Sequence, residues 1–216
     1  MAALGQSIRR SAIGLGLFAI FTGGTIAVTQ SLTAERIQDQ MARAEARALY
    51  EIIPQSHHNN DMLNDSVQLP ADERFRFPEP FTAWVARLDG APVGLIFPVV
   101  APDGYSGDIH LLVGVSPEGE VLGVRVTSHK ETPGLGDKVE LKKSDWVLDF
   151  NGRSLDNPTL DGWAVAKNGG AFDQFTGATI TPKAVTGAVK NTLLYLNAHQ
   201  ADLAAALGTS IAQESP

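Results

Sequence analysis

Two segments of this chain combine residue types and spacings that can do chemistry. The first is Asp173-Gln174-Phe175-Thr176-Gly177-Ala178-Thr179-Ile180-Thr181-Pro182. A small Thr-Gly-Ala-Thr turn runs into an expected helix start, with Thr181 as N-cap and Pro182 at the first helical position. Free amides at a helix N-terminus, with the dipole behind them, make a site for an anion such as phosphate. Lys183 adds charge in the first turn, and Thr179 holds a hydroxyl beside that cradle. An ordinary turn with a threonine cap accounts for Thr181 but not for the Asp-x-x-Thr-Gly-Ala-Thr order ahead of it. On spacing alone both readings stand.

The second segment is His129-Lys130-Glu131-Thr132-Pro133-Gly134-Leu135-Gly136-Asp137-Lys138. Two glycines and a proline in four residues force a tight loop after an expected strand, and glycines let backbone amides approach a ligand closely. A plain connecting turn is the alternative. Other chemistry is sparse. The chain has no GxxxxGK loop, no HExxH and no GxSxG motif. His57 and His58 are adjacent and project in different directions, which fits a solvated loop better than a metal site; no metal site is expected. His110 and His199 have no partner nearby in sequence and read as surface or half-buried residues.

The elements that must position these segments emerge from the patterning. FTAWVARL and APVGLIFPVV flank Asp89-Gly90 and predict a hairpin. DIHLLVGVS and EVLGVRVTSH flank Pro117-Glu118-Gly119 and predict a second. A short helix over 142–150 with Ser144 as cap, and one more strand over TLDGWAVAK, are expected next. The closing helix carries Val185, Val189, Thr192, Leu193 and Leu196 as its apolar stripe and stops at Gly208. The class is α+β, built on an antiparallel sheet.

Ahead of this domain the charge is lopsided. The 216 residues contain 24 acids and 17 bases, a net charge of −7, yet residues 1–34 carry only Arg9 and Arg10, leaving −9 to the rest. Ser11 to Ala34 is uncharged, and 24 residues of helix rise about 36 Å, enough to cross a hydrocarbon core. A cleaved secretory signal and a buried core helix are the alternatives. The run is long for a signal and lacks a clear small-x-small cleavage site, so an uncleaved anchor is the preferred reading. The bases Arg9 and Arg10 are matched by Arg36, Arg43 and Arg47 on the far side, so charge does not decide orientation. An N-in orientation rests on the habit of a single N-terminal anchor to export the domain behind it. The expected organisation is a cytoplasmic N-terminus over 1–10, a transmembrane helix over 11–34 and a stalk helix over 35–54. The stalk's stripe is Ile37, Met41, Ala44, Ala48 and Ile52, and Pro54 ends it. A connector over 55–80, the ligand domain over 81–208 and a tail over 209–216 complete it. The acidic balance makes nucleic acid an unsuitable partner. With no cysteine there is no disulfide, no thiolate nucleophile and no cysteine-ligated iron–sulfur cluster.

The stretch Asp173-Gln-Phe-Thr-Gly-Ala-Thr179 matches the Asp-x-x-[Ser/Thr]-Gly-Ala-Thr flavinylation motif of FMN-binding domains. Together with APDGYSGDIHLLVG, ETPGLGDK, SDW and FDQFTGATITP, it resembles RnfG, the G component of the Rnf ion-translocating electron-transport complex, over about residues 80–195. The resemblance implies an FMN-binding domain, tethered by one transmembrane helix to the bacterial inner membrane and facing the periplasm. It implies FMN joined to Thr179 through a phosphoester by a separate flavin transferase that uses FAD, within a motif comprising Asp173, Thr176, Gly177 and Ala178. Glu131, Thr132, Gly134, Leu135, Gly136, Lys138, Ile180 and Thr181 are the implied cofactor contacts, with Trp146 packing nearby. Other membrane subunits of the complex and membrane lipid are the implied partners, and electron carriage coupled to Na⁺ or H⁺ transport the implied function. Two rivals remain. One is a membrane-tethered FMN- or phosphate-ligand-binding or sensing domain outside a respiratory complex. The other is the C component of the sodium-translocating NADH:quinone reductase, which shares the motif.

Overall fold

The structure is a computed structural model that describes residues 2–208, with the side chains of residues 2–8, 38, 39 and 41–45 outside the description. The backbone divides into two compact units, Met1–Ala44 and Glu45–Pro216. Helix α1 (Ala2–Ile52) begins in the first unit and ends in the second, and within the first it contains the stretch Arg9–Ile37, 29 residues long and apolar enough to cross a membrane. Its large side chains Leu15, Phe18, Ile20 and Phe21 are exposed, and its threonines Thr25, Thr29 and Thr33 donate back to the carbonyl four residues earlier at 2.8 Å. Those three hydroxyls are thereby satisfied inside the helix, as an apolar surrounding demands. The expected anchor and stalk are one continuous helix. Of the stalk's stripe, Ile37 is exposed, Met41 and Ala44 lie outside the described side chains, and Ile52 is buried.

The second unit is an antiparallel five-stranded meander, β1 (Ser66–Leu69), β2 (Phe81–Leu88), β3 (Ala91–Ala101), β4 (Ile109–Val115) and β5 (Val121–Ser128), in sequential order. Both hairpins expected from the sequence form. At the first turn Asp89 and Gly90 have φ of 53° and 87°, the left-handed pair that matches strand twist. The stretch 55–80 supplies β1, which pairs Ser66–Leu69 with Trp84–Phe81, and it buries Met62, Leu69 and Phe77. Alternation along the strands divides the core between two faces. Leu95, Phe97 and Val99 of β3 with Leu111 and Val113 of β4 face one cluster, which holds Val185, Val189, Leu193 and Tyr195 of helix α2 (Ile180–Ala198). Ile96 and Leu112 face the other, with Leu49, Ile52 and Ile53 at the end of α1. Glycines on that face admit the helix end. A Cβ at Gly114 would sit 2.2 Å from the Ile52 Cγ2, and one at Gly94 would sit 2.6 Å from the Ile53 Cδ1.

Several local expectations change. Thr181 is not the N-cap of α2; Thr179 stands there without a side-chain cap bond, so Thr181 falls inside the first turn and Pro182 one residue later, where its missing amide still costs nothing. The segment TLDGWAVAK is not a strand. It winds through 3-10 turns at Leu160–Gly162 and Ala166–Asn168, because the Gly169-Gly170 pair folds the chain back so closely that a Cβ at Gly170 would overlap the Ala164 carbonyl. The closing helix is not continuous to Gly208: α2 ends at Ala198, and α3 (Gln200–Leu207) runs on to the left-handed Gly208 after a break at His199. The short helix near 142–150 is a 3-10 helix, Asp145–Phe150, and the Ser144 hydroxyl does accept from the Trp146 amide at 3.2 Å. His58 is buried against Tyr50 rather than solvated, with ring centroids 5.8 Å apart, and His57 is exposed.

Candidate functional site

The two chemically suggestive segments meet. A cleft of about 220 Å³ is lined by Glu131, Thr132, Leu135 and Gly136 from the loop after β5 and by Gly177, Ala178, Thr179, Ile180 and Thr181 from the turn into α2. Tyr105, from the loop between β3 and β4, completes the lining. Gly134 holds the loop's tight turn at φ 79°, and the Leu135 and Gly136 amides both close back on the Thr132 carbonyl at 3.1 Å. Lys138 lies in the adjoining 3-10 helix, Gly136–Val139, outside the lining.

On the facing wall, Thr176 and Gly177 form the corner of a turn closed by the Ala178 amide on the Phe175 carbonyl at 3.0 Å, with Gly177 at φ 82°. The turn is anchored from beneath. Phe175 is buried, its ring 5.2 Å from that of Trp146, and the Trp146 indole N–H donates to the Asp173 carbonyl at 2.8 Å. Trp146 in turn meets Phe150 edge-on, and Phe150 stacks on Phe172 at 4.6 Å. A rigid aromatic base therefore fixes 172–178 while leaving the Thr176 side chain exposed and Thr179 half-buried. The carboxylate of Asp173 is exposed and, among the described residues, meets no donor.

Thr179 stands at the start of a 19-residue helix. Among the described residues the amides of Thr179, Ile180 and Thr181 find no protein acceptor, since the helix ladder begins with the Lys183 amide on the Thr179 carbonyl at 3.3 Å. Unpaired amides and the positive end of the helix dipole thus converge beside the Thr179 hydroxyl, an arrangement that accepts a phosphate. Tyr105, Leu135 and Ile180 stay 69%, 43% and 48% exposed around the same opening, giving it an apolar rim suited to a planar ring.

Tyr105 carries no warning in the sequence, because an aromatic in a Gly-Tyr-Ser-Gly loop fits a plain turn equally well. The role of Thr181 is hidden for a different reason. Its hydroxyl turns into the protein and donates to the Glu131 carboxylate, 50 residues away in sequence.

Comparison with known proteins gives this cleft a context. Residues 104–194 match the FMN-binding domain family, and residues 1–52 match the family of the RnfG N-terminal region. The G component of the ion-translocating oxidoreductase complex of Pseudomonas aeruginosa is 48% identical over 204 residues, 94% of this chain and 95% of that one. Proteins of the same name from Shewanella loihica and Vibrio cholerae are each 46% identical, over 92% and 91% of this chain and 93% and 94% of theirs. The chain belongs to the RnfG family of ion-translocating oxidoreductase complex subunits, with an FMN-binding domain over residues 104–194.

Proposed function

We propose that this subunit carries electrons on one FMN joined covalently to Thr179. In this reading α1 crosses the bacterial inner membrane once, and the domain works on the periplasmic side beside the other membrane subunits, in contact with lipid. The observation that carries the reading is half-buried Thr179 in the lining of the cleft, at the N-cap of α2, where its own amide and those of Ile180 and Thr181 are unpaired among the described residues. A flavin transferase would deliver FMN from FAD: the Thr179 oxygen bonds the flavin-side phosphorus, its proton is released and AMP leaves. Asp173 and Thr176, exposed on the turn, face outward for that enzyme, and Gly177 and Ala178 give it room.

When bound, FMN supplies the electron chemistry, and the domain supplies attachment, orientation and shielding. The α2 amides hold the phosphate, and Tyr105, Leu135 and Ile180 flank the ring. Thr132, Gly134 and Gly136 shape the opposing wall, and Lys138 and Lys183 moderate the local negative charge. Coupling of the transfer to Na⁺ or H⁺ movement belongs to the assembled complex. An ester tether suits a carrier outside the cytoplasm, where lost FMN has no ready replacement.

The test is intact mass after denaturation of the full chain made in cells that contain the transferase. The wild type should gain one FMN less water, mapped to the peptide around 171–183, and Thr179→Ala should gain none. Fluorescence retained by the denatured Thr179→Ala chain would overturn the attachment site.

A further inference from the structure

Glu131 is buried, 5% exposed, in the wall of the cleft, and among the described residues no cation lies within ion-pair distance of it. Neutral donors from two other segments hold its carboxylate instead. The Ser106 amide, in the loop between β3 and β4, donates to Oε1 at 2.8 Å, and the Thr181 hydroxyl, in the first turn of α2, donates to Oε2. Its own loop is tied behind it: the Glu131 amide donates to the His129 Nδ1 at 3.0 Å, while the His129 Nε2 faces the Glu140 carboxylate at 2.8 Å. With Nδ1 accepting, the proton of this imidazole sits on Nε2, and the pair fixes the loop's exit.

Two glycines keep the space this carboxylate needs. A Cβ at Gly136 would fall 2.8 Å from the Glu131 Oε2 and 2.9 Å from the Thr181 Oγ1. A Cβ at Gly104 would fall 3.0 Å from the Glu131 Oε1. The loop of Tyr105 and Ser106, the loop of Glu131 and the start of α2 therefore meet on one buried carboxylate, and these are the segments that line the cleft.

We infer that Glu131 is a positioning residue, whose hydrogen bonds to Ser106 and Thr181 lock the three walls of the cleft so that a flavin tethered at Thr179 is held rather than left to swing. This rests on the reading of Thr179 as the attachment point. A phosphoester alone leaves several rotatable bonds between the threonine and the ring, so the tether fixes where the flavin is and the walls fix how it lies. The contribution of Glu131 is hydrogen-bonded geometry and not net charge. Glutamine, which keeps an acceptor for Ser106 and a polar partner for Thr181, should therefore replace it.

The experiment uses the full chain in detergent after loading by the transferase, and it reads attachment and mobility separately. Intact mass reports attachment; flavin fluorescence anisotropy and iodide quenching report mobility. In Glu131→Ala and Thr181→Val the mass should show the same added flavin as loaded wild type, while anisotropy falls and quenching rises severalfold. Glu131→Gln should keep wild-type values for both. Thr181→Val, which exchanges one hydroxyl for a methyl, carries the test if Glu131→Ala does not fold. Loaded Thr181→Val with wild-type anisotropy and quenching overturns the positioning role. Mobility in Glu131→Gln equal to that in Glu131→Ala overturns the geometric account, and a wild-type chain that gains no flavin overturns the attachment reading beneath both.

Discussion

Asp173 divides its work between backbone and side chain, and the division makes a prediction. Its carbonyl accepts the Trp146 indole proton at 2.8 Å and anchors the turn, while its exposed carboxylate holds nothing among the described residues. Asp173→Ala should thus leave unfolding free energy within about 0.5 kcal/mol of wild type, as for other surface changes. Flavin incorporation should fall by at least about tenfold, on the order of 1.4 kcal/mol or more in transferase recognition. Chemical unfolding and intact mass on the same preparation check both halves. Wild-type incorporation would remove the carboxylate from recognition, and lost stability would return it to the fold. At this scale the turn ahead of α2 and the Thr179 hydroxyl beside it are legible in the sequence, because a run of small residues around one hydroxyl is a local signal. Thr181 is not. Thr-Pro reads locally as a cap, and only the fold brings Glu131 to that hydroxyl to make it an interior tie.

Elements are legible where periodicity is the whole signal. The hairpins at Asp89-Gly90 and Pro117-Glu118-Gly119 need only alternating strands and a left-handed turn. Periodicity fails over 159–172, where Trp163, Val165 and Phe172 are buried by aromatic packing around turns and not by a sheet. It is also silent about where the end of α1 packs, since Gly94 and Gly114 look in sequence like weak points in strands. In the structure they are the seat for Ile52 and Ile53. Gly114→Ala should consequently destabilise the domain by about 1–3 kcal/mol, because its Cβ would collide with the Ile52 Cγ2. The same change in an Ile52→Ala background should cost less, since the colliding methyl is gone. Urea unfolding of the four chains in the cycle measures the coupling, and additive losses would mean that Ile52 does not sit against Gly114.

Across the whole fold, residues far apart in the chain are joined by one imidazole. The His199 Nε2 lies 2.9 Å from the Asp72 carboxylate, 127 residues earlier, and its Nδ1 lies 2.9 Å from the Asp202 carboxylate. Tyr195 stacks on the ring at 4.3 Å, and Arg74 pairs with the same Asp72. Two acceptors on opposite nitrogens call for two protons, so this contact is complete only as the imidazolium. The bond to Asp202, joined by that to Asp72, accordingly raises the His199 pKa above its ordinary 6.5. The Arg74 hydrogen bond, with that of His199 after it, holds the Asp72 carboxyl well below its ordinary 3.8. The raised histidine contributes stability that is complete below pH 6.5 and fades as pH rises through its folded value. The lowered carboxyl contributes stability that is complete above its ordinary value and fades as acid titrates the folded group. The clasp is therefore strongest between about pH 4 and 6.5, and on the alkaline side it weakens first through His199. His199→Asn should lower the urea midpoint of the full chain in detergent more at about pH 6 than at about pH 9. An equal loss at both would show that this residue holds the turn at Asp72 to α2 and α3 by packing on Tyr195 and not by charge.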